Sequence, residues 1–422
     1  MHLTHRDTCR VCGHSSLKPV INLGLQHLQG SFIKPLSPEP PHRKIPCELV
    51  RCDPTQDEHA CGLLQMKHSV PPSLLYSNYW YVSGTNQTMR EHLCGIATEA
   101  ESTISMARSD VPQVLDIGCN DLTLLNCFPA HWKRVGIDPS GIPARENTGE
   151  IRVIKGLFPH HELNNEEFDV ITSIAMFYDL EDPVGFAMAI REMLAPDGTW
   201  IVEMSYMPQM LAMNSYDTIC HEHLEYYSLS VLEFIMRRAG LRIYRVALND
   251  INGGSIRCYV THAKSTIPQD ESVEQMRIKE FDLELDTDKP YASFQKRVEI
   301  HRDKLVGVLV AGKQRGLTTH IYGASTKGNT LLQWCGIDKR LIEFAADRNP
   351  MKHGAFTIGS DITIISEEES RRRKPDYYLV LPWHFKKEFV QREREFAKAT
   401  GSHCPGFIFP LPEIEVIQPF AG

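Results

Sequence analysis

The 422-residue sequence predicts an α/β protein in three parts: a small metal-held opening, a central domain on a parallel sheet, and a second α/β domain. Three observations carry this. The first ~70 residues are rich in Pro, His and Cys with little periodicity, as suits a small domain held by a metal. From Pro71 onward, strand-like runs alternate with helical patterns, which implies parallel strands covered on both faces. Near Ser265 the composition turns charged, and a second alternation follows. The expected parts are 1–70, 71–265, a helical linker over 266–306, and 307–422.

In the opening, Cys9-Arg10-Val11-Cys12-Gly13 is a CxxC closed by glycine, the form of a zinc knuckle. Its partner pair is Cys52 and Cys61, and four thiolates suit tetrahedral Zn²⁺ in a structural role. The second pair is spread wider than CxxC, so His59 and Cys47 stand as alternative ligands. A redox CxxC opens a helix after a strand, and nothing here suggests one.

In the central part, Val114–Ile117, Arg134–Ile137, Phe168–Ile171 and Thr199–Val202 read as buried strands. A helix is expected over Phe186–Leu194, closed by Pro196-Asp197-Gly198. Leu241–Tyr244 and Ile256–Val260 complete this unit, and residues 265–302 read as helical without strong caps. Strands at Thr319–Tyr322, Leu341–Ala345 and Tyr377–Leu381 are expected in the last part.

The net charge of −8 excludes a general nucleic-acid binder, while allowing one phosphate pocket built from a few cations. No apolar run approaches the length of a membrane span, and the first residues show no secretory signal. Most of the twelve cysteines, Cys94, Cys127, Cys258 and Cys335 among them, lie singly in apolar or strand-like stretches. They read as buried thiols of a cytoplasmic protein. Oligomeric state is not legible.

Asp116-Ile117-Gly118-Cys119-Asn120-Asp121 ends a strand before a helix, so a turn there approaches a ligand closely. About twenty residues on, Asp138-Pro139-Ser140 ends the next strand, placing an acid to accept from ribose hydroxyls. No GxGxxG is present, so the expected cofactor lacks a pyrophosphate. Leu194-Ala195-Pro196-Asp197-Gly198 resembles the Leu-x-Pro-x-Gly step of class I methyltransferases.

His221-Glu222-His223 is not a zinc-protease signature, because its histidines stand two apart and share no helix face. An imidazole beside a carboxylate suits general-base work near neutral pH.

Several motifs occur in a fixed order: the CxxC, Tyr79-Trp80-Tyr81-Val82-Ser83-Gly84-Thr85, Asp116 to Asp121, His221-Glu222-His223, and Asn252-Gly253-Gly254-Ser255. Gly323-Ala324-Ser325-Thr326-Lys327-Gly328-Asn329 and Asp347-Arg348-Asn349-Pro350 follow. Over nearly the whole chain this string resembles the S-adenosylmethionine-dependent C-methyltransferases that act on nucleotide-linked 4-keto sugars, the 3-C-methyltransferases of deoxysugar biosynthesis.

The resemblance implies a zinc domain, a class I Rossmann-like cofactor domain and a C-terminal Rossmann-like domain that helps hold the nucleotide sugar. It implies His223 as base with Glu222 orienting it, and His221, Tyr79, Tyr178 and Asp179 nearby. It places Tyr81, Ser83, Gly84, Asp116, Gly118, Asn120, Asp121, Asp138, Pro139, Ser140, Ala175 and Met176 on the cofactor side. Asn252, Ser255, Lys327, Asn329 and Arg348 fall to the substrate. The chemistry implied is removal of a proton alpha to the C4 ketone, then attack of C3 on a sulfonium methyl.

Three positions depart from the family pattern. Cys220 stands where a tyrosine is usual, Asp179 where a histidine is common, and Leu122 where the cofactor loop has glycine. Tyr178, Tyr226 and Tyr227 are the candidates for the missing hydroxyl. The rival readings are an O- or N-methyltransferase on the same fold, a non-catalytic zinc-bearing scaffold of a surface-polysaccharide pathway, and an NAD-dependent sugar oxidoreductase. The last is disfavoured by the missing GxGxxG.

Overall fold

The computed structural model describes residues 3–33, 43–76, 82–104, 111–143, 147 and 149–419. Seven strands form the central sheet: Gln113–Ile117, Lys133–Asp138, Arg152–Lys155, Phe168–Ile174, Leu194–Ser205, Leu241–Asn249 and Ser255–His262. Numbered along the chain they lie in the order 3-2-1-4-5-7-6, with the first five parallel and the seventh antiparallel to both neighbours. The parallel strands are apolar on both faces, with Val114, Leu115, Val170 and Ile171 all buried, because helices cover both sides. The chain crosses between the first and fourth strands, so a crevice opens beyond their carboxyl ends.

The C-terminal sheet runs through Gly406–Phe409, Tyr377–Val380, Thr319–Tyr322, Phe344–Asp347 and Thr363–Ser366, all parallel. Its crossover lies beside Thr319–Tyr322, which puts the loops 323–327 and 381–385 at a second crevice. The expected strand Leu341–Ala345 starts late, at Phe344, because the Leu341 and Ile342 amides turn back onto the Asp338 carbonyl.

The linker region is better capped than its sequence suggests. Helix Glu271–Asp282 starts where the Asp270 carboxylate accepts from the Ser272 amide, and helix Lys289–Gln314 carries Pro290 in its first turn. The second helix buries Tyr291, Phe294, Val298, Leu305 and Leu309 in the same core as the C-terminal sheet.

The N-terminal segment is wedged between the two α/β units. Its strands Leu17–Gln26, Ile45–Cys52 and Leu64–Met66 form one antiparallel sheet, which Glu225–Tyr226 joins just after the His-Glu-His run. Phe32–Ile33 extends the C-terminal sheet instead. Val20, Leu23, Leu49 and Met66 belong to the C-terminal core, whereas Cys9, Val11 and Leu63 pack with Trp200 and Tyr227 of the central one. One wedge therefore fixes the angle at which the crevices meet.

Cys258 and Cys335 are buried free thiols, as expected, but Cys94 and Cys127 are joined in a disulfide. The reading of those two as separate thiols is corrected: helix Gln87–Glu101 packs on helix Thr123–Cys127 and brings them together. Among the described residues no helix is long and apolar enough to cross a membrane.

Candidate active site and metal centre

The four sulfurs singled out by spacing come together. Cys9 Sγ lies 3.5 Å from Cys61 Sγ and Cys12 Sγ 3.4 Å from Cys52 Sγ, all four within 4.8 Å of one another. A tetrahedral Zn²⁺ with bonds of about 2.3 Å needs sulfurs roughly 3.8 Å apart, so the donor set fits the ion. His59 is exposed, and Cys47 is buried elsewhere with its thiol on the Ile219 carbonyl. Arg10, between the first two ligands, donates to Met66 O and Ser69 Oγ, each at 2.6 Å. Its Nε lies 3.4 Å from Glu181 and 3.6 Å from Glu225. The metal knot is thereby tied to the strand that follows His223.

Both crevices open into one cavity of about 860 Å³. On the cofactor side it is lined by Ser83, Asp116, Gly118, Asn120 and Asp121. Asp138, Pro139, Ser140, Ala175 and Met176 complete that wall. Gly118 has φ +80°, and a side chain there would lie 3.3 Å from Met176 Cγ, so glycine keeps the turn open toward a ligand. Leu122, in the place of the family's usual glycine, takes φ +65° and is fully buried.

The loops brace one another. Asn120 N donates to Asp138 Oδ2 at 3.0 Å, Ser83 N to Asn120 Oδ1 at 3.1 Å, and Gly84 N to Asp121 Oδ2 at 2.6 Å. Gly84 therefore supports the wall from behind without lining it. Thr172 donates to Asp116 Oδ1 at 2.6 Å, yet burial, with Asp138 and Asp121 nearby, raises the Asp116 carboxyl to about 7. A wall holding three carboxylates suits a cationic ligand such as S-adenosylmethionine, whose sulfonium and ammonium both carry charge.

Tyr178, Asp179, Glu222 and His223 line the same cavity. His223 Nδ1 lies 2.9 Å from the Thr218 carbonyl, which can only accept, so Nδ1 carries the hydrogen and Nε2 keeps a lone pair. Burial, and then the Lys327 charge, lowers this imidazole to about 3. Thr218, not Glu222, thus orients the ring, with the Tyr178 ring tilted 56° against it at 4.3 Å between centroids. Burial raises the Glu222 carboxyl above its ordinary value.

His221 points the other way. Its Nδ1 meets Gln29 Oε1 at 2.7 Å and its Nε2 the Pro46 carbonyl at 3.3 Å, anchoring the loop to the N-terminal sheet. Cys220, Tyr226 and Tyr227 are buried off the cavity, and Tyr226 donates to the Thr218 carbonyl at 3.3 Å. Tyr79 and Tyr81 lie outside the described residues.

Asn252 and Ser255 of the central unit and Lys327 and Arg348 of the C-terminal one reach the cavity. Ser255 Oγ donates to the Ile251 carbonyl at 2.9 Å, and Arg348 Nε stands 3.7 Å from Glu367. Asn329 stays behind the wall, holding the Gln29 carbonyl at 2.7 Å.

Four further groups at the site were given no role by the sequence reading. Thr218 acts through its carbonyl, which no side-chain pattern betrays. His384 and Lys352 reach the cavity only through tertiary packing. Asp347 had a signal: like Asp138 it ends a strand beyond a glycine turn, and its Oδ2 accepts from Ala324 N at 2.9 Å.

Comparison with known proteins agrees with this layout. Residues 9–76 match the family described as "Putative zinc binding domain", 89–246 a methyltransferase domain, and 250–412 a C-methyltransferase C-terminal domain. The plantazolicin methyltransferase BpumL, solved with S-adenosylhomocysteine, is 13% identical with a TM-score of 0.36, covering 42% of this chain and 86% of that one. An S-adenosylmethionine-dependent methyltransferase from Clostridium acetobutylicum is 14% identical with a TM-score of 0.33, covering 42% of this chain and 93% of that one. The C-methyltransferase NovU of Streptomyces niveus is 30% identical over 425 aligned residues, 98% of this chain and 97% of the relative. With that relative matched end to end and all three domain families in place, the chain belongs to the S-adenosylmethionine-dependent C-methyltransferases that carry an N-terminal zinc domain.

Proposed function

We propose that this enzyme adds a methyl group to C3 of a nucleotide-linked 4-keto-deoxysugar, through an enolate, with His223 as the base. The observation that carries the reading is a neutral imidazole whose lone pair stands in the same cavity as the carboxylate wall of the cofactor domain and the Lys327–Arg348 side of the C-terminal domain. A carbon acid needs a base that is unprotonated at working pH, and His223 Nε2 is that base in this reading.

S-adenosylmethionine, when bound, supplies an electrophilic methyl group. Asp116, Asp138 and the turn at Gly118 would hold it, and Arg348 on the C-terminal side would meet a nucleotide phosphate. His223 Nε2 takes the C3 proton, while Thr218 keeps the ring in the tautomer that can accept it.

Incubation of 4-keto nucleotide sugars with enzyme in D₂O, without cofactor, tests this. The reading expects deuterium at the carbon alpha to the ketone, and ~10²-fold slower exchange with His223→Ala. Methyl transfer without any exchange in D₂O would favour an oxygen or nitrogen acceptor and overturn it.

A further inference from the structure

We propose that Lys327 is a catalytic residue: its ammonium receives the charge that develops on the ketone oxygen as His223 removes the neighbouring proton. This rests on the reading above and assigns the oxyanion partner that it leaves open.

The need is created by this chain's own sequence. An enolate forms only if its oxygen is stabilised as the proton leaves, and water-excluded donors do this best. The tyrosine usual beside the base is Cys220 here, fully buried and off the cavity. Burial raises its thiol well above the ordinary value, so it is a poor donor in any case.

Lys327 stands where the charge would appear. It is the second residue of the helix Thr326–Cys335 and lines the cavity together with His223. His223 and His384 line the cavity with it, and after burial its charge is what lowers both imidazoles. Its Nζ donates to the Asn252 carbonyl at 2.8 Å and enters no ion pair among the described residues. The nearby carboxylate, Asp217, accepts at Oδ2 from the Trp383 indole N–H at 2.9 Å. Burial raises the Asp217 carboxyl and lowers the Lys327 ammonium, while each charge favours the ionised form of the other. An ammonium has three donors, and one suffices for Asn252.

The carbonyl it leans on is held by shape. Asn252 takes φ +57°, and a side chain at the next residue, Gly253, would meet the Trp383 ring at 3.0 Å. A buried cation held by one main-chain carbonyl, in the cavity of the base and with no carboxylate in direct contact among the described residues, can still take an anion. A nucleotide phosphate is the other anion that could fill it, but its nearness to His223 favours the reacting oxygen.

The step balances simply. The C3–H pair becomes the C3–C4 π bond, the carbonyl π pair moves to oxygen and is met by Lys327 N–H, and the proton rests on His223 Nε2.

Lys327→Met and Lys327→Gln test the assignment, the second keeping a donor for Asn252 without the charge. Deuterium exchange at the alpha carbon and kcat should both fall 10²-fold or more. KM for the sugar should change by less than about threefold, because the charge exists mainly in the transition state. Calorimetric affinity for S-adenosylmethionine, unchanged, reports that the variants fold. Exchange within about threefold of wild type, or a loss confined to KM, overturns the assignment and makes Lys327 a substrate anchor. If wild-type enzyme itself neither exchanges nor methylates any keto sugar, the proposed function fails first, and that outcome is separate from a normal wild type with an unaffected variant.

Discussion

Cofactor binding should depend on pH through Asp116. Its carboxyl is raised to about 7, first by burial and then by the Asp138 and Asp121 charges. Only the ionised form attracts a cation, so binding must release a proton from the protonated fraction. The apparent dissociation constant then scales as 1 + 10^(pKa − pH), a factor of about 11 at pH 6 and about 1.1 at pH 8. Affinity for S-adenosylmethionine should therefore weaken about tenfold as pH falls from 8 to 6. Isothermal titration calorimetry in two buffers of different ionisation enthalpy reads both the affinity and the proton released. Asp116→Asn cannot titrate, and its affinity should vary less than about twofold over the same range. An affinity independent of pH in wild type, or the same slope in the Asn variant, would refute the role given to this carboxyl.

Other consequences are open to direct measurement. His223→Ala should lower turnover ~10²-fold or more and leave cofactor affinity nearly intact, since Asp116 and Asp138 hold the other side of the cavity. Chelation of the metal should remove one zinc per chain and lower Tm by several degrees. It should also slow turnover, because Arg10 links the metal knot to Glu225 beside the base. His221→Ala loses its contacts to Gln29 and Pro46, so stability should drop by about 1–3 kcal/mol in urea titration without a shift in cofactor affinity. Gly253→Ala, at φ +88° and against Trp383, should cost about 1–2 kcal/mol from backbone conformation alone and lower Tm.

Much of the cofactor wall was legible because its logic is local. An acid at a strand end, followed by glycine, announces a turn that meets a ligand, and Asp116, Gly118 and Asp138 all lie where that pattern puts them. The strand centres were legible for the same reason: apolar stretches such as Val170–Ile171 and Trp200–Val202 have no other way to be buried. The two histidines of one short run show where local reading ends. Two positions apart in a turn, they point to opposite sides, His223 into the cavity and His221 into the N-terminal sheet. Pattern marks both as candidates, and only packing separates them. The Thr218 carbonyl reaches His223 through a local main-chain turn, whereas the Cys94–Cys127 pairing and His384 depend on contacts between segments far apart in the chain. No window of sequence contains such contacts. The wedge of N-terminal strands between two sheets is of the same kind, since its apolar residues alternate normally and do not say which core they join.

The central claim is carbon methylation of a keto sugar, and the product tests it most directly. Enzyme, S-adenosylmethionine and a panel of 4-keto nucleotide sugars should give one product heavier by a single methyl group, with NMR correlating that methyl to C3 and showing no proton lost from any hydroxyl. A methyl on oxygen, or no methylated product from any panel member while calorimetry shows the cofactor bound, would contradict the account.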